Sequence, residues 1–156
     1  IIPGLTWQAT AATVIDVNAT PILVDVNEEN WCIDPKKIEE AITPRTKAII
    51  PVHLYGAFAD MDAIMAIAKK HNLKVISDAA QAPAARYKGS WAGTLADVGG
   101  FSLNYHKHIH TGEGGILVTN DDEIAELATR FGVQADDKRA VKQQVADILI
   151  QKFSKN

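Results

Sequence analysis

Residues 47–80 read KAIIPVHLYGAFADMDAIMAIAKKHNLKVISDAA, and their pattern decides what kind of fold the chain forms. Segments 47–56 and 73–80 are short apolar runs rich in Ile and Val. Between them, residues 60–71 put Ile64, Ile67 and Ala68 on one helical stripe, with Lys69, Lys70 and His71 at the far end. Apolar residues at that spacing mark an amphipathic helix, and basic residues suit its C-terminus. A strand, a helix and a second strand in this order are the unit from which parallel sheets are built.

The alternation continues on both sides. Segments 20–26, 97–103 and 114–120 read as further buried strands, and segments 8–17 and 34–42 as helices. In the second of these helices Asp34 is placed to cap the N-terminus, with Pro35 at the first helical position. Strands that are apolar on both faces and separated by helices imply a mainly parallel sheet with helices on both faces. The expected fold class is α/β. Residues 132–156 change character: they are polar, with Val141, Val145, Ile148 and Leu149 at a helical period. They are expected to form an amphipathic helical tail docked on the sheet.

Bulk properties exclude several classes of function. The 156 residues, 47% hydrophobic and 22% charged, suit one globular domain. Sixteen basic against 19 acidic residues leave a net charge of −3. No basic stripe interleaved with aromatics is present, so nucleic acid is not an expected partner. Cys32 is the single cysteine, which rules out an internal disulfide or a cysteine metal cluster. That fits a reducing compartment. No apolar run is long enough for a membrane helix, and the opening IIPGLTWQAT lacks the pattern of a signal peptide. A cytoplasmic location is expected. The opening itself is strand-like and apolar, and the expectation is that the chain starts inside a domain.

In a parallel α/β sheet, ligands gather at the carboxyl ends of the strands. Asp78 and Gln81 follow one strand, His53 and Tyr55 another, and Ser102 ends a third with Lys107 in the loop beyond. Singly, these are ordinary residues: an Asp at a strand end usually serves a turn, and a lysine in a Gly-rich loop is usually solvated. Together, an acid, a lysine and a hydroxyl suit pyridoxal phosphate chemistry. A deprotonated lysine condenses with an aldehyde, and a carboxylate keeps the pyridine nitrogen protonated. A serine hydroxyl and backbone N–H groups hold phosphate.

The segments VISDAAQA (75–82) and ADVGGFSLNYHKHIHTGEGGILVTND (96–121), with the upstream segment 41–82 and TPILVDV (20–26), resemble the DegT/DnrJ/StrS group of fold-type I sugar aminotransferases. The shared features are an Asp-Ala-Ala-Gln segment, a Phe-Ser segment, a Lys five residues after its Ser, and a Gly-Glu-Gly-Gly turn. The resemblance runs over residues 1–131, as part of a cofactor-binding large domain, and leaves 132–156 outside the pattern. It implies that Lys107 forms the Schiff base and shuttles protons at the substrate carbon. Asp78 would pair with the pyridine nitrogen, Gln81 would contact the phenolic oxygen, and Ser102 would bind the phosphate. Trp7 would stack on the ring, its competing role being that of an ordinary core aromatic. The implied reaction transfers an amino group, with glutamate as the expected donor, to a nucleotide-linked keto sugar. A homodimer or higher oligomer is implied as well.

The departures also carry expectations. Ser77 stands where the family usually has an acidic residue, which would tune the site. The family's upstream Gly-containing phosphate turn and its C-terminal small domain do not match any part of the chain. A fragment or truncated product with weak activity is therefore expected, and a non-catalytic binding remnant is the competing class. His106, His108 and His110 alternate and could share a face for a metal. Because Lys107 sits among them and a loop need not keep strand alternation, no metal site is expected. Glu113, between two glycines, is either catalytic or braces its loop by accepting backbone N–H bonds. His53 and Tyr55 are expected in supporting roles, and Cys32 in a structural one.

Overall fold

A computed structural model describes residues 1–133. Its elements are, in order, β1 (Ile2–Pro3), α1 (Gln8–Asp16), β2 (Leu23–Val24), α2 (Pro35–Glu40), β3 (Ala48–Ile49), α3 (Met61–Lys70) and β4 (Lys74–Asp78). There follow β5 (Arg86–Tyr87), β6 (Ser90–Trp91), β7 (Val98–Ser102), β8 (Gly115–Val118) and α4 (Asp122–Val133). The expected tail lies outside the described residues beyond the end of α4.

The main sheet has the order β3-β4-β7-β8, with β3, β4 and β7 parallel and β8 antiparallel. The β1–β2 pair, also parallel, attaches beside β3. There the Ile50 N–H donates to the Ile1 carbonyl at 2.9 Å, and the Ile1 amino group donates to the Ala48 carbonyl at 2.8 Å. The mainly parallel α/β class expected from the alternation is what forms. Helices α2 and α3 begin where their caps dictate. The Asp34 carboxylate accepts the Lys36 N–H at 2.9 Å, and Asp60 accepts the Ala63 N–H at 3.2 Å. The apolar stripe of α3 is buried at Ile64 and Ala68, against a core that includes Ile38, Ile49, Val52 and Val75.

Three strand expectations need correction. Segment 47–56 yields a two-residue strand because Pro51 has no N–H to donate to a ladder. Pairing resumes past it, where Val52 bridges Asp78, and residues 54–56 then close a single tight helical turn. Segment 20–26 is not buried as a whole, since Leu23 is exposed and only Val24 joins the core. Segment 114–120 forms β8, the edge strand of the sheet. An edge has one neighbour only, so Ile116 and Leu117 are 49% and 48% exposed.

An unexpected hairpin, β5–β6, turns through Lys88 (φ 49°) and Gly89 (φ 89°). Two left-handed residues in a two-residue turn match the right-handed twist of the strands. Beyond it the chain presses on β7 at two glycines. A Cβ on Gly99 would lie 2.3 Å from the Gly93 carbonyl oxygen, and one on Gly93 would lie 2.9 Å from the Phe101 ring. Gly99→Ala is therefore expected to destabilise the chain by about 3 kcal/mol. Gly100→Ala, where nothing lies within 4 Å, should be near neutral. Urea unfolding of the two variants against wild type checks the difference.

Candidate active site

The carboxyl ends of β4 and β7 lie side by side, since Asp78 and Gly100 are partners in the parallel register. Asp78 is held by its backbone from both flanks. Its N–H donates to Pro51 at 2.9 Å, its carbonyl accepts the His53 N–H at 3.0 Å, and the next N–H, of Ala79, donates to Gly100 at 2.8 Å. The side chain is held too. The Thr10 hydroxyl donates to Oδ2 at 3.0 Å and the Ala80 N–H donates to Oδ1 at 3.1 Å. Thr10 is the buried residue of α1, and its hydroxyl also meets that of Thr6 at 2.9 Å. Helix α1 thus delivers one hydroxyl to one carboxylate oxygen, a contact that no sequence pattern announced.

A cleft of about 250 Å³ opens here, and Trp7, Asp78, Gln81, Ser102 and Lys107 all line it. All five expected site residues therefore meet at one place. The Gln81 Oε1 accepts the Tyr55 N–H at 2.8 Å. The Ser102 Oγ accepts the Asn104 N–H at 3.3 Å, which leaves its own proton available to donate. Lys107 is half-buried, its backbone N–H donating to the Asn104 carbonyl at 2.9 Å. Among the described residues, no carboxylate pairs with its amine. Trp7 is 55% exposed and its ring lies 5.6 Å from that of His106 at a 42° tilt. That exposure removes its core-aromatic reading.

The loop carrying Lys107 is braced by Glu113, though not as expected. Its carboxylate accepts the Asn104 side-chain amide at 2.8 and 2.9 Å rather than backbone N–H groups. Asn104 thereby joins Ser102, Lys107 and Glu113 in one network, and sequence reasoning missed it. The loop closes where Leu103 donates to Gly114 at 2.9 Å and Thr111 donates to Leu103 at 3.0 Å. His108 and His110 are exposed. Among the described residues no three His, Cys, Asp or Glu side chains are grouped to hold a metal ion. None of the described helices is long and apolar enough to cross a membrane. Cys32 is buried, its thiol 3.5 Å from the Ala57 carbonyl.

His53 and Ser77 form a buried pair behind the cleft. The Ala59 N–H points at His53 Nδ1 at 3.4 Å, so Nδ1 is the acceptor and Nε2 carries the proton, donated to Ser77 Oγ at 2.8 Å. Burial lowers the imidazole pKa to about 4.

The comparisons with known proteins fit this geometry. The model of the DegT/DnrJ/EryC1/StrS aminotransferase family matches residues 1–153. The chain belongs to this family. It is 49% identical over 125 residues to the L-glutamine:2-deoxy-scyllo-inosose aminotransferase of Streptoalloteichus tenebrarius, covering 80% of the chain and 30% of that protein. It is 51% identical over 125 residues to the GDP-perosamine synthase of Caulobacter vibrioides, covering 80% of the chain and 34% of that protein. The chain thus spans about a third of the length of the curated relatives it matches. Among solved structures it superposes on ntda from Bacillus subtilis with bound cofactor PMP, with a TM-score of 0.77 and 40% identity. That superposition covers 88% of the chain and 32% of the other.

The lowered pKa of His53 has a consequence for stability. Above pH 6.5 the imidazole is neutral in both folded and unfolded chains. Between pH 6.5 and about 4 the unfolded chain binds a proton that the folded one refuses, so stability falls with pH. By pH 4.5 the loss amounts to about 2 kcal/mol, and it should be missing from His53→Gln. Urea unfolding of both proteins at pH 7 and pH 4.5 measures it.

Proposed function

We propose that this chain carries the cofactor-binding part of an aminotransferase site that uses pyridoxal phosphate. In this reading it places an amino group on a ketone of a polyhydroxylated ring, a nucleotide-linked keto sugar. The observation that carries the reading is the meeting of Lys107, Asp78, Gln81, Ser102 and Trp7 in one cleft. The donor set fits the cofactor. Asp78 has lone pairs beyond those used by Thr10 and Ala80, Ser102 has a proton to give a phosphate oxygen, and the Lys107 amine is not tied to a carboxylate. When bound, the cofactor supplies an aldehyde that takes up the amino group and a ring that accepts carbanion charge.

The chain's residues do the rest. Asp78 holds the proton at the pyridine nitrogen, oriented by Thr10 and Ala80. Lys107 gives and takes the proton at the substrate carbon, presented by a loop that Asn104 and Glu113 brace. Trp7 covers one face of the ring, and Ser102 holds the phosphate. Because the S. tenebrarius relative is named for L-glutamine, we assign glutamine as amino donor in place of glutamate. The same name supports a second substrate reading, a keto-cyclitol, while GDP-perosamine synthase supports the nucleotide-linked sugar. A cytoplasmic homodimer or higher oligomer belongs to the same proposal, on the strength of the resemblance.

Incubation with pyridoxal phosphate followed by borohydride should fix a pyridoxyl group on the peptide containing Lys107, read by mass spectrometry. Lys107→Ala should lose the label. Amino transfer from glutamine is then followed with a GDP-linked 4-keto sugar and with a keto-inositol, which separates the two substrate readings. Labelling spread over surface lysines, and unchanged in Lys107→Ala, would leave the non-catalytic remnant as the better description.

A further inference from the structure

Tyr55 has φ 54° and ψ 22°, the left-handed region that a bulky side chain rarely adopts. The residue is 75% exposed, so packing of the phenol does not account for the backbone. The backbone around it does. The His53 N–H is tied to the Asp78 carbonyl, the Gly56 N–H donates to His53 at 3.3 Å, and the Ala57 N–H donates to Leu54 at 2.9 Å. Leu54 is buried, and Gly56 also takes a positive φ, of 86°. In this conformation the Tyr55 N–H meets Gln81 Oε1 at 2.8 Å. Strain of this kind persists only where the surroundings over-determine it, and it gathers at functional sites.

We infer that Tyr55 is a positioning residue whose left-handed backbone sets which way the Gln81 amide faces, so that Gln81 offers N–H donors to the cleft. A backbone N–H bonds an oxygen and not an NH2 group, so Oε1 is committed to Tyr55 and Nε2 keeps two protons to give. A side chain so oriented selects a ligand oxygen that accepts, and rejects a donor in the same place. The identity of that oxygen, the phenolic oxygen of pyridoxal phosphate, rests on the function proposed above. The orientation rests on the geometry alone, and the two can fail separately.

Two measurements on the chain test this. The first is hydrogen exchange of the Tyr55 amide by NMR, with no cofactor present. Gln81→Leu removes the acceptor and should speed that exchange by about tenfold, the worth of one hydrogen bond. The second compares the affinity for pyridoxal phosphate with that for its analogue lacking the 3-hydroxyl. Tyr55→Asn and Tyr55→Val both delete the phenol, but only Asn tolerates the left-handed backbone. Tyr55→Asn should keep the wild-type preference for the natural cofactor, and Tyr55→Val should lose most of it, a change of about three- to tenfold. Equal exchange in wild type and Gln81→Leu overturns the inference, and so does an undiminished preference in Tyr55→Val. Should the chain fail to bind pyridoxal phosphate, the cofactor reading falls and the exchange experiment alone decides the orientation.

Discussion

Parallel pairing across the end of β4 is the constraint on which the site depends. Asp78 sits where the sheet has a neighbour on each side, with hydrogen bonds to Pro51 and His53 on one flank and one from Ala79 to Gly100 on the other. A carboxylate at a free strand end would swing with its backbone. Here the backbone belongs to the ladder, and Thr10 and Ala80 take up both oxygens of the side chain. Preorganisation of this sort comes from neighbours whose own positions are already fixed by packing and hydrogen bonding. Ser102 inherits the same stiffness, since it is the last residue of β7 and pairs with Gly115.

Three further contacts keep the strands in register at the opposite end. Asp97 accepts the Val75 N–H at 2.8 Å and the Lys74 amine at 3.1 Å, and its own carbonyl accepts the Thr119 hydroxyl at 2.7 Å. One residue thus ties β4 to the start of β7 and to the end of β8. With Gly99 letting Gly93 approach within contact distance, β7 is held from its edge and from its face. The carboxyl ends that line the cleft are left to the loops, as expected for an open parallel sheet.

Much of this was legible in the residues because buried parallel strands have a pattern of their own. The run around Val75, the stripe on α3 and the Asp34–Pro35 cap each reappear where the pattern put them. What misled was the equation of apolar with buried. Ile116 and Leu117 are as hydrophobic as Val75, yet β8 is an edge, and a strand's place in the order is not written in its composition. Pro51 gave a local warning, since a residue without an N–H interrupts a ladder. Of the cleft, five lining residues were expected through resemblance and strand-end logic. Their supports were not, because Thr10, Asn104 and Tyr55 reach the site through contacts between segments that no local spacing reveals. For the Lys88–Gly89 turn a signal did exist: a two-residue connection ending in glycine between short runs with aromatics.

The supports also explain why Ser77 is tolerable at its position. Its side chain points to the face of the strand opposite Asp78, where it is buried against His53. An ionised group there would need a charged partner. In this chain His53 is held neutral by burial, so the pair it makes with position 77 is a neutral one. A hydroxyl asks only for one hydrogen bond, and His53 Nε2 gives it. The Ser77–His53 contact is therefore a neutral joint between the turn at residues 53–57 and β4. Through that turn it reaches Tyr55 and Gln81, while Asp78 keeps the only negative charge on its strand.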